Sequence, residues 1–280
     1  MHADPSGGTD ERSTFQPRPL HSLLRYIGGK SKLADQIVKL IPPHLAYVEP
    51  FAGGAWVFFK KPPSKVEVLN DVDGELINFW RVVHNHPDEF LRCCERLLPS
   101  REMFEAERSR STTGMTDIQR ATRYYYLQRL AFGGGMKTLN FGTSSIRAPA
   151  FHVEGLKASL FAVQKRLQRV LIECLDACDC IEKYDRPSTF FYLDPPYLGG
   201  QKYRFPFTEQ DFELLAVSLG TLRGKFMMTV NDCDVIRRVF GRFKIESVES
   251  SYFIANAKDA RNARPRQRQL LVHNLERVEG

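Results

Sequence analysis

The sequence predicts an α/β fold, with an open, mostly parallel, doubly wound sheet that is interrupted once by a helical insert. Short apolar runs typical of buried strands alternate with helix-like segments before residue 87 and again after residue 165. Between these positions the chain is rich in Arg and Glu and contains no clear strand. A length of 280 residues with 42% hydrophobic side chains is enough for one large domain that carries a smaller one.

The predicted strands and helices follow one another regularly along the chain. Strands are predicted at 46–49, 66–69, 170–174, 189–193, 225–230 and 243–248. A helix is predicted at 30–41, where Pro42-Pro43 ends it, and another at 73–86. Further helices are expected between the later strands, which is the alternation that a parallel sheet requires.

The composition divides the chain into three parts. Residues 1–22 are rich in Pro, Ser, Gly, Asp and Thr and predict a flexible tail. Residues 23–86 together with 165–280 form the predicted sheet domain. Residues 87–164 form the predicted insert, which includes a loop rich in Gly, Ser, Thr and Asn at 132–150.

Charge and cysteine content narrow the class of protein. A net charge of +7 and an isoelectric point near 9.1 favour a polyanionic partner, with nucleic acid ahead of a membrane surface. No apolar run approaches the roughly 18–20 residues of a membrane span, and the N-terminus lacks a signal-peptide core, so a cytoplasmic location is expected. The six cysteines match no zinc spacing, which predicts reduced thiols and no metal site.

A carboxylate, two prolines and a tyrosine, Asp194-Pro195-Pro196-Tyr197, follow the predicted strand at 189–193. Open α/β sheets bind ligands at the carboxyl ends of their strands. Asp194 and the Pro195 carbonyl could accept both hydrogens of an exocyclic amine, which would direct the nitrogen lone pair at an electrophile. Tyr197 could stack on the flat base that carries this amine. Taken alone, such a tetrad is more often a strand, a Pro-Pro turn and a core tyrosine, so the rest of the sequence has to decide.

A glycine turn, Glu49-Pro50-Phe51-Ala52-Gly53-Gly54, follows an earlier strand and precedes a short apolar helix. Asp71 ends the next strand about 20 residues later, where an acid can accept hydrogen bonds from ribose hydroxyls. The turn lacks the full dinucleotide fingerprint and a phosphate-binding Lys-Ser/Thr pair. We therefore predict a nucleoside-containing cofactor, with S-adenosylmethionine favoured over NAD and ATP.

Four stretches, in this order, resemble the Dam-like (alpha-group) DNA adenine N6-methyltransferase family. They are Tyr26-Ile27-Gly28-Gly29-Lys30, Glu49-Pro50-Phe51-Ala52-Gly53-Gly54, Asn70-Asp71 and Asp194-Pro195-Pro196-Tyr197. The helical block between the second and third strands also matches, and the resemblance covers roughly residues 24–274. It implies a Rossmann-like, S-adenosylmethionine-dependent methyltransferase sheet with a helical target-recognition insert.

The resemblance also implies a role for each matched residue. The implied catalytic residues are Asp194, Pro195, Pro196 and Tyr197. The implied cofactor-binding residues are Tyr26, Gly28, Gly29, Lys30, Glu49, Pro50, Phe51, Gly53, Asp71, Asp176 and Asp194. Within this set, the Lys30 ammonium suits the methionine carboxylate, Asp71 the ribose and Asp176 the adenine of the cofactor. Family members often have an aromatic residue directly after the acid that matches Asp176, whereas this chain has Ala177.

A duplex substrate implies base flipping, because a stacked adenine cannot reach the tetrad. The implied DNA-contacting residues are Arg25, Arg129, Lys137 and Asn140. The loop at 132–150 differs from the base-reading segment of GATC-specific members, so no recognition sequence is predicted. A basic segment near the C-terminus is compatible with a loop that contacts phosphates and also with a disordered, solvated loop. It contains Lys258, Arg261, Arg264, Arg266 and Arg268.

The predicted function is therefore transfer of a methyl group from S-adenosylmethionine to the N6 amine of adenine in double-stranded DNA. Two alternatives stay open: an RNA adenine methyltransferase that shares the tetrad, and a catalytically silent nucleic-acid-binding paralogue. The expected partners are double-stranded DNA and, acting separately, a cognate restriction endonuclease. A monomer or weak dimer is expected, in the cytoplasm of a prokaryotic or phage-infected cell.

Overall fold

The computed structural model describes residues 20–25, 30, 33–132, 139–146, 148–200, 203–248 and 268–275. Its elements, in chain order, are α1 (Ala34–Leu40), β1 (Ala46–Glu49), α2 (Trp56–Lys60), β2 (Val66–Asn70), α3 (Gly74–Asn85), α4 (Pro87–Cys94), α5 (Arg101–Ser109), α6 (Asp117–Leu130), α7 (Val153–Leu167), β3 (Val170–Glu173), α8 (Ala177–Tyr184), β4 (Thr189–Leu193), α9 (Glu209–Gly220), β5 (Lys225–Asn231), α10 (Asp234–Val239), β6 (Lys244–Val248) and β7 (Gln269–His273).

These strands form one sheet of seven, in the order β3-β2-β1-β4-β5-β7-β6. The pairs β1–β2, β1–β4, β2–β3 and β4–β5 are parallel, whereas β7 runs antiparallel between β5 and β6. The predicted α/β fold with a mostly parallel sheet is confirmed. Because the strand order reverses between β1 and β4, a crevice opens at the carboxyl ends of these two strands.

Two elements differ from the prediction. Strand β7 is additional to the six predicted strands. Its apolar residues follow a strongly basic stretch, and they form a strand because they pair with β5 on one side and β6 on the other. The helix predicted from residue 30 begins at Ala34. The Lys30 carbonyl accepts the Ala34 N–H at 2.6 Å, so Lys30 lies directly before the helix.

Alternate side chains of the central strands point to opposite faces of the sheet. Tyr47 and Phe190 face the side that is covered by the helices from α1 to α7. Val48 and Phe191 face the side that is covered by α8, α9 and α10. Because both faces are covered, every residue of β4 is buried, which explains its continuous apolar sequence.

The helices of residues 87–164 extend the core on the first face of the sheet. Helix α6 packs along α3, and Tyr125 stacks on Phe79 with ring centroids 5.9 Å apart and an angle of 4° between the rings. Phe90 lies edge-on to Tyr125 at a centroid distance of 5.6 Å. These buried aromatic contacts tie the helical region to α3. Its division from the sheet domain as a separate insert stays a prediction.

A buried ion network joins α7 to the beginning of β2. Glu67 is 3% exposed and accepts hydrogen bonds from Lys61 at 2.5 Å and from Arg166 at 2.5 and 2.7 Å. Burial alone would raise the pKa of Glu67, but the hydrogen bonds from Arg166 and Lys61 bring it below its ordinary value. Glu67 therefore supplies one negative charge between two cations that folding has removed from most of their water.

We expect Glu67→Gln to lower the free energy of unfolding by about 3–5 kcal/mol, because it leaves two buried cations uncompensated. Urea denaturation followed by circular dichroism measures this change. The matched control is Glu89→Gln, which removes an exposed pair with Arg92 and should cost less than about 1 kcal/mol. Equal effects of the two substitutions would contradict a structural role for the buried network.

Candidate active site

An open cavity lies at the carboxyl ends of β1, β2 and β4, beside the reversal of strand order. Its empty space, mouth included, is about 1240 Å³. Predicted site residues that line it are Lys30, Glu49, Pro50, Phe51, Gly53, Asp71, Asp176, Asp194 and Pro196. Folding therefore brings residues of all four motifs to one cavity. Three described members, Asn70, the buried Pro195 and Tyr197, lie beside the cavity residues in the chain but do not line the cavity.

The carboxylate of Asp194 is oriented by two other parts of the chain. Its Oδ1 accepts a hydrogen bond from Thr229 Oγ1 at 3.1 Å and lies 2.5 Å from Lys30 Nζ. The Thr229 hydroxyl is itself 3.0 Å from the Tyr192 hydroxyl. The Asp194 side chain remains 23% exposed, whereas that of Lys30 is 2% exposed. The carboxylate is therefore fixed by the protein and still reaches the cavity.

Tyr197 lies deeper than Asp194. It is 7% exposed, its hydroxyl accepts a hydrogen bond from Lys30 Nζ at 3.0 Å, and it is not among the cavity-lining residues. Asn231 fixes the turn that follows, because its Oδ1 accepts the Leu198 N–H at 3.1 Å. Stacking of Tyr197 on a base stays a prediction.

Asp71 braces the turn after β1. Gly53 and Ala55 have φ angles of 47° and 51°, in the left-handed region. The Gly53 N–H donates to Asp71 Oδ2, and the Asp73 N–H donates to Asp71 Oδ1, both at 3.0 Å. Burial raises the pKa of Asp71 to about 6, against the effect of these two hydrogen bonds. Its predicted contact with a ribose stays a prediction.

Glu49 lies at the end of β1 and is 2% exposed. Its Oε1 accepts hydrogen bonds from the Tyr47 hydroxyl at 2.7 Å and from the Phe58 N–H at 2.9 Å. Burial raises the pKa of Glu49 to about 8, more than these bonds lower it. The carboxyl therefore keeps its proton at neutral pH and lines the cavity as an uncharged group.

Asp176 is held at the cavity wall by Asn70. The Asn70 side chain accepts the Leu175 N–H at 2.8 Å and donates to the Leu175 carbonyl at 3.1 Å. Asp176 then caps α8 by accepting the Cys178 N–H at 2.8 Å. Ala177, the next residue, also lines the cavity.

One wall of the cavity is formed by residues 203–207, which the motif analysis did not identify. Phe207 packs edge-on against Phe51 with ring centroids 5.4 Å apart. Arg204 Nη1 lies 3.0 Å from Asp73 Oδ1. The aromatic residues between the tetrad and the N-cap of α9 were a weak signal, since such stretches also occur in ordinary cores.

The Arg129 guanidinium is turned inward. Its Nε and Nη2 donate to the Ala150 carbonyl at 2.9 and 2.5 Å, and its Nη1 donates to the Leu23 carbonyl at 3.4 Å. Arg129 therefore fastens the end of the 132–150 loop to the segment before α1. A contact between Arg129 and DNA would require these bonds to break.

Arg25 and Asn140 are exposed. The Arg25 N–H donates to Gln128 Oε1 at 3.1 Å, and the Asn140 carbonyl accepts the Phe132 N–H at 2.7 Å, so the backbone of both is fixed while the side chains face solvent. Arg268, just before β7, is exposed as well. The other predicted site residues lie outside the described ranges: Tyr26, Gly28, Gly29, Lys137, Lys258, Arg261, Arg264 and Arg266.

The charge of the cavity restricts the ligands that fit it. The wall carries six carboxyl side chains, namely Glu49, Asp71, Asp73, Asp176, Asp194 and Asp211, and two basic ones, Lys30 and Arg204. This excess of acids disfavours a nucleotide with several phosphates. It suits a ligand that carries positive charge and hydroxyl or amine donors.

Within the described ranges, no three His, Cys, Asp or Glu side chains form a group that could hold a metal ion. No helix in that part of the chain is long and apolar enough to cross a bilayer.

Comparison with known proteins identifies the family that this chain resembles. The sequence model of the D12 class N6 adenine-specific DNA methyltransferases matches residues 26–254. A DNA adenine methylase of Salmonella typhi is 27% identical over 187 residues, which cover 63% of this chain and 64% of that protein. A type II methyltransferase of Lactococcus lactis subsp. cremoris is 26% identical over 64% of this chain and 66% of its own length. The chain therefore matches a little under two thirds of the length of these two relatives.

A longer match is found with a type II methyltransferase of Paramecium bursaria Chlorella virus NC1A. It is 25% identical over 236 residues, which cover 82% of this chain and 90% of the viral protein. The family resemblance inferred from the four motifs is confirmed.

The protonation of Glu49 predicts a pH dependence of stability. The folded pKa of about 8 exceeds the ordinary value of 4.5, so the folded state keeps a proton that the unfolded state has lost, and stability falls as the pH rises through this interval. Between pH 6 and 8 the loss should be roughly 2 kcal/mol. Glu49→Gln, which stays neutral, should remove it.

Urea denaturation of both proteins across this pH interval tests the prediction, with the exposed Glu102→Gln as the control. Identical pH profiles for Glu49→Gln and the unmodified protein would contradict a protonated Glu49.

Proposed function

Because the chain belongs to the D12 class N6 adenine-specific DNA methyltransferase family, we propose that it methylates the N6 amine of adenine in double-stranded DNA, with S-adenosylmethionine as donor. The observation that carries the proposal is the fixed Asp194 carboxylate at the end of β4, which Thr229 and Lys30 hold at the cavity. Among the described residues, both of these contacts use Oδ1. A carboxylate held at this position is an acceptor for a hydrogen of an amine.

The wall of the cavity fits S-adenosylmethionine by its donor and acceptor chemistry. This cofactor carries a sulfonium and an ammonium against a single carboxylate, which suits a wall rich in acids. We assign Asp71 to the ribose hydroxyls, Asp176 to the adenine and Lys30 to the carboxylate. Phe51 and Phe207 supply apolar surface beside them. When bound, the cofactor supplies an electrophilic methyl group.

The protein then has to hold the amine in line with that methyl group. Orientation of reactants can lower a barrier by about 7–11 kcal/mol. The lone pair of the adenine amine is delocalised into the ring, so the nitrogen becomes nucleophilic only as it turns pyramidal. Hydrogen bonds from the amine to Asp194 and to the Pro195 carbonyl favour this change. They strengthen as positive charge develops on nitrogen, so they stabilise the transition state more than the ground state.

Capture of the base requires that adenine leave the helix, at a cost of a few kcal/mol. We assign Tyr197 to stacking on the flipped base. We assign DNA contacts to the exposed Arg25 and Asn140 and to Lys137. Arg129 is assigned instead to holding the end of the 132–150 loop. Two of the relatives named above are type II methyltransferases. We therefore propose that any cognate restriction endonuclease acts separately, and that the protein works as a monomer or weak dimer on intracellular DNA.

Asp194→Ala should lower adenine methylation at least about 100-fold, because the amine loses the acceptor that stabilises its developing charge. A modified-base map of DNA and RNA is recorded from cells without their own adenine methylation that express either protein. Asp88→Asn, at an exposed site in α4, is the control for expression and folding.

N6-methyladenine in DNA, lost in Asp194→Ala, supports the proposal and also reports the recognition sequence. Methylation confined to RNA would make the protein an RNA methyltransferase. No methylation of either, with DNA binding retained, would make it a silent paralogue.

Thr229→Val removes the hydroxyl that orients Asp194 and keeps the shape of the side chain. A hydrogen bond to a charged group contributes about 1.5–3 kcal/mol. The single-turnover methylation rate should therefore fall roughly 10- to 100-fold, while the affinity for S-adenosylhomocysteine stays unchanged. Thr113→Val, in an exposed turn, should leave the rate unaltered. A normal rate in Thr229→Val would exclude this hydroxyl as a positioning group.

A further inference from the structure

We propose that the Lys30 ammonium occupies the position on Asp194 that the target amine takes later. When the cofactor binds, Lys30 moves to the cofactor carboxylate, and this movement opens the subsite for the base. This inference rests on the proposed function and deepens it. It gives Lys30 control over base capture, in addition to a contact with the cofactor.

The proposal depends on the position of the Lys30 ammonium. Nζ lies 2.5 Å from Asp194 Oδ1 and 3.0 Å from the Tyr197 hydroxyl. These are the two side chains assigned to the amine and the ring of the flipped adenine. Lys30 is 3% exposed and lines the same cavity as Asp194. A base whose amine bonded to Asp194 and whose ring lay on Tyr197 would need two side chains that the ammonium already contacts.

A neutral base alone competes poorly for this position. The bond between an ammonium and a carboxylate is charge-assisted and stronger than the bond that a neutral amine forms. A buried ammonium that leaves Asp194 gives up a charge-assisted bond, which is unfavourable unless another anion replaces it. Entry of adenine is therefore favoured by a second anion for Lys30.

Two carboxyls of the same wall, Glu49 and Asp71, are engaged in other ways. Burial raises the pKa of Glu49 to about 8, so this carboxyl is neutral at neutral pH, and its Oε1 is already bonded to Tyr47 and Phe58. Asp71 accepts the N–H groups of Gly53 and Asp73. A ligand with its own carboxylate supplies what these groups do not. The carboxylate is the one anionic group of S-adenosylmethionine at neutral pH.

The exchange couples the two subsites. Lys30 on Asp194 opposes base capture, whereas Lys30 on the cofactor carboxylate leaves Asp194 free for the amine. The coupling must be reciprocal, so whatever releases Lys30 from Asp194 also strengthens binding of the carboxylate. Neutralising Asp194 should therefore tighten the binding of a carboxylate-bearing ligand, even without DNA.

Isothermal titration calorimetry of two matched ligands tests this prediction. S-adenosylhomocysteine carries an amino-acid group with its carboxylate, whereas 5′-methylthioadenosine has the same adenosine and thioether and lacks the whole amino-acid group. Asp194→Asn should bind S-adenosylhomocysteine about tenfold more tightly than the unmodified protein and 5′-methylthioadenosine equally well. Lys30→Met should weaken only S-adenosylhomocysteine.

The double variant Lys30→Met with Asp194→Asn separates the exchange from a general effect of charge. If Lys30 mediates the coupling, the gain from Asp194→Asn disappears in the Lys30→Met background. A gain that persists there, or unchanged or weaker binding by Asp194→Asn alone, overturns the inference. Asp194→Ser replaces Asp194→Asn if thermal unfolding shows that the latter is misfolded.

The same titrations distinguish a failure of the proposed function from a failure of this inference. If the unmodified protein binds neither ligand, the cofactor assignment and this inference are both wrong. If it binds S-adenosylhomocysteine and Asp194→Asn does not tighten that binding, only the role of Lys30 is wrong.

Discussion

Three separate parts of the chain fix the position of the Asp194 carboxylate. Strand β4 places it at the reversal of strand order, β5 supplies the Thr229 hydroxyl, and the segment before α1 supplies the Lys30 ammonium. The Thr229 hydroxyl is fixed in advance and needs no rearrangement in the proposed reaction, which suits the carboxylate to act on a developing charge. The neighbouring Asn231 fixes the turn after Tyr197. Rigid strands thus hold the proposed acceptor of the amine.

Four of the six carboxyl groups in the cavity wall are compensated in different ways. Glu49 keeps its proton because burial raises its pKa to about 8. Asp71 accepts two backbone N–H groups, Asp73 pairs with Arg204, and Asp194 pairs with Lys30. These arrangements lower the repulsion between neighbouring carboxyls and leave a wall that favours cations and hydrogen-bond donors. The same arrangements make Lys30 sensitive to any ligand that brings a carboxylate.

Helix α3 links the cavity to the helical region that follows it. Asp73 caps the helix by accepting the Glu75 N–H at 3.0 Å and lies in the cavity wall. Further along α3, Phe79 stacks on Tyr125 of α6. A continuous packed core therefore runs from the cofactor side of the cavity to the helices that precede the 132–150 loop. Arg129 belongs to this scaffold because its guanidinium binds backbone carbonyls.

The sequence by itself determined the α/β class, six of the seven strands and the motif residues around the cavity, because strand periodicity, glycine turns and the Asp-Pro-Pro-Tyr tetrad are local patterns. Only the tertiary structure decided which groups meet. It placed Lys30 on Asp194, turned Arg129 inward, made 203–207 a cavity wall and added β7. Each of these results depends on contacts between residues far apart in the chain, and local patterns carry no record of such contacts. Electrostatic pairing and burial, which set the charge on Glu49 and the place of Lys30, exist only once the chain has folded.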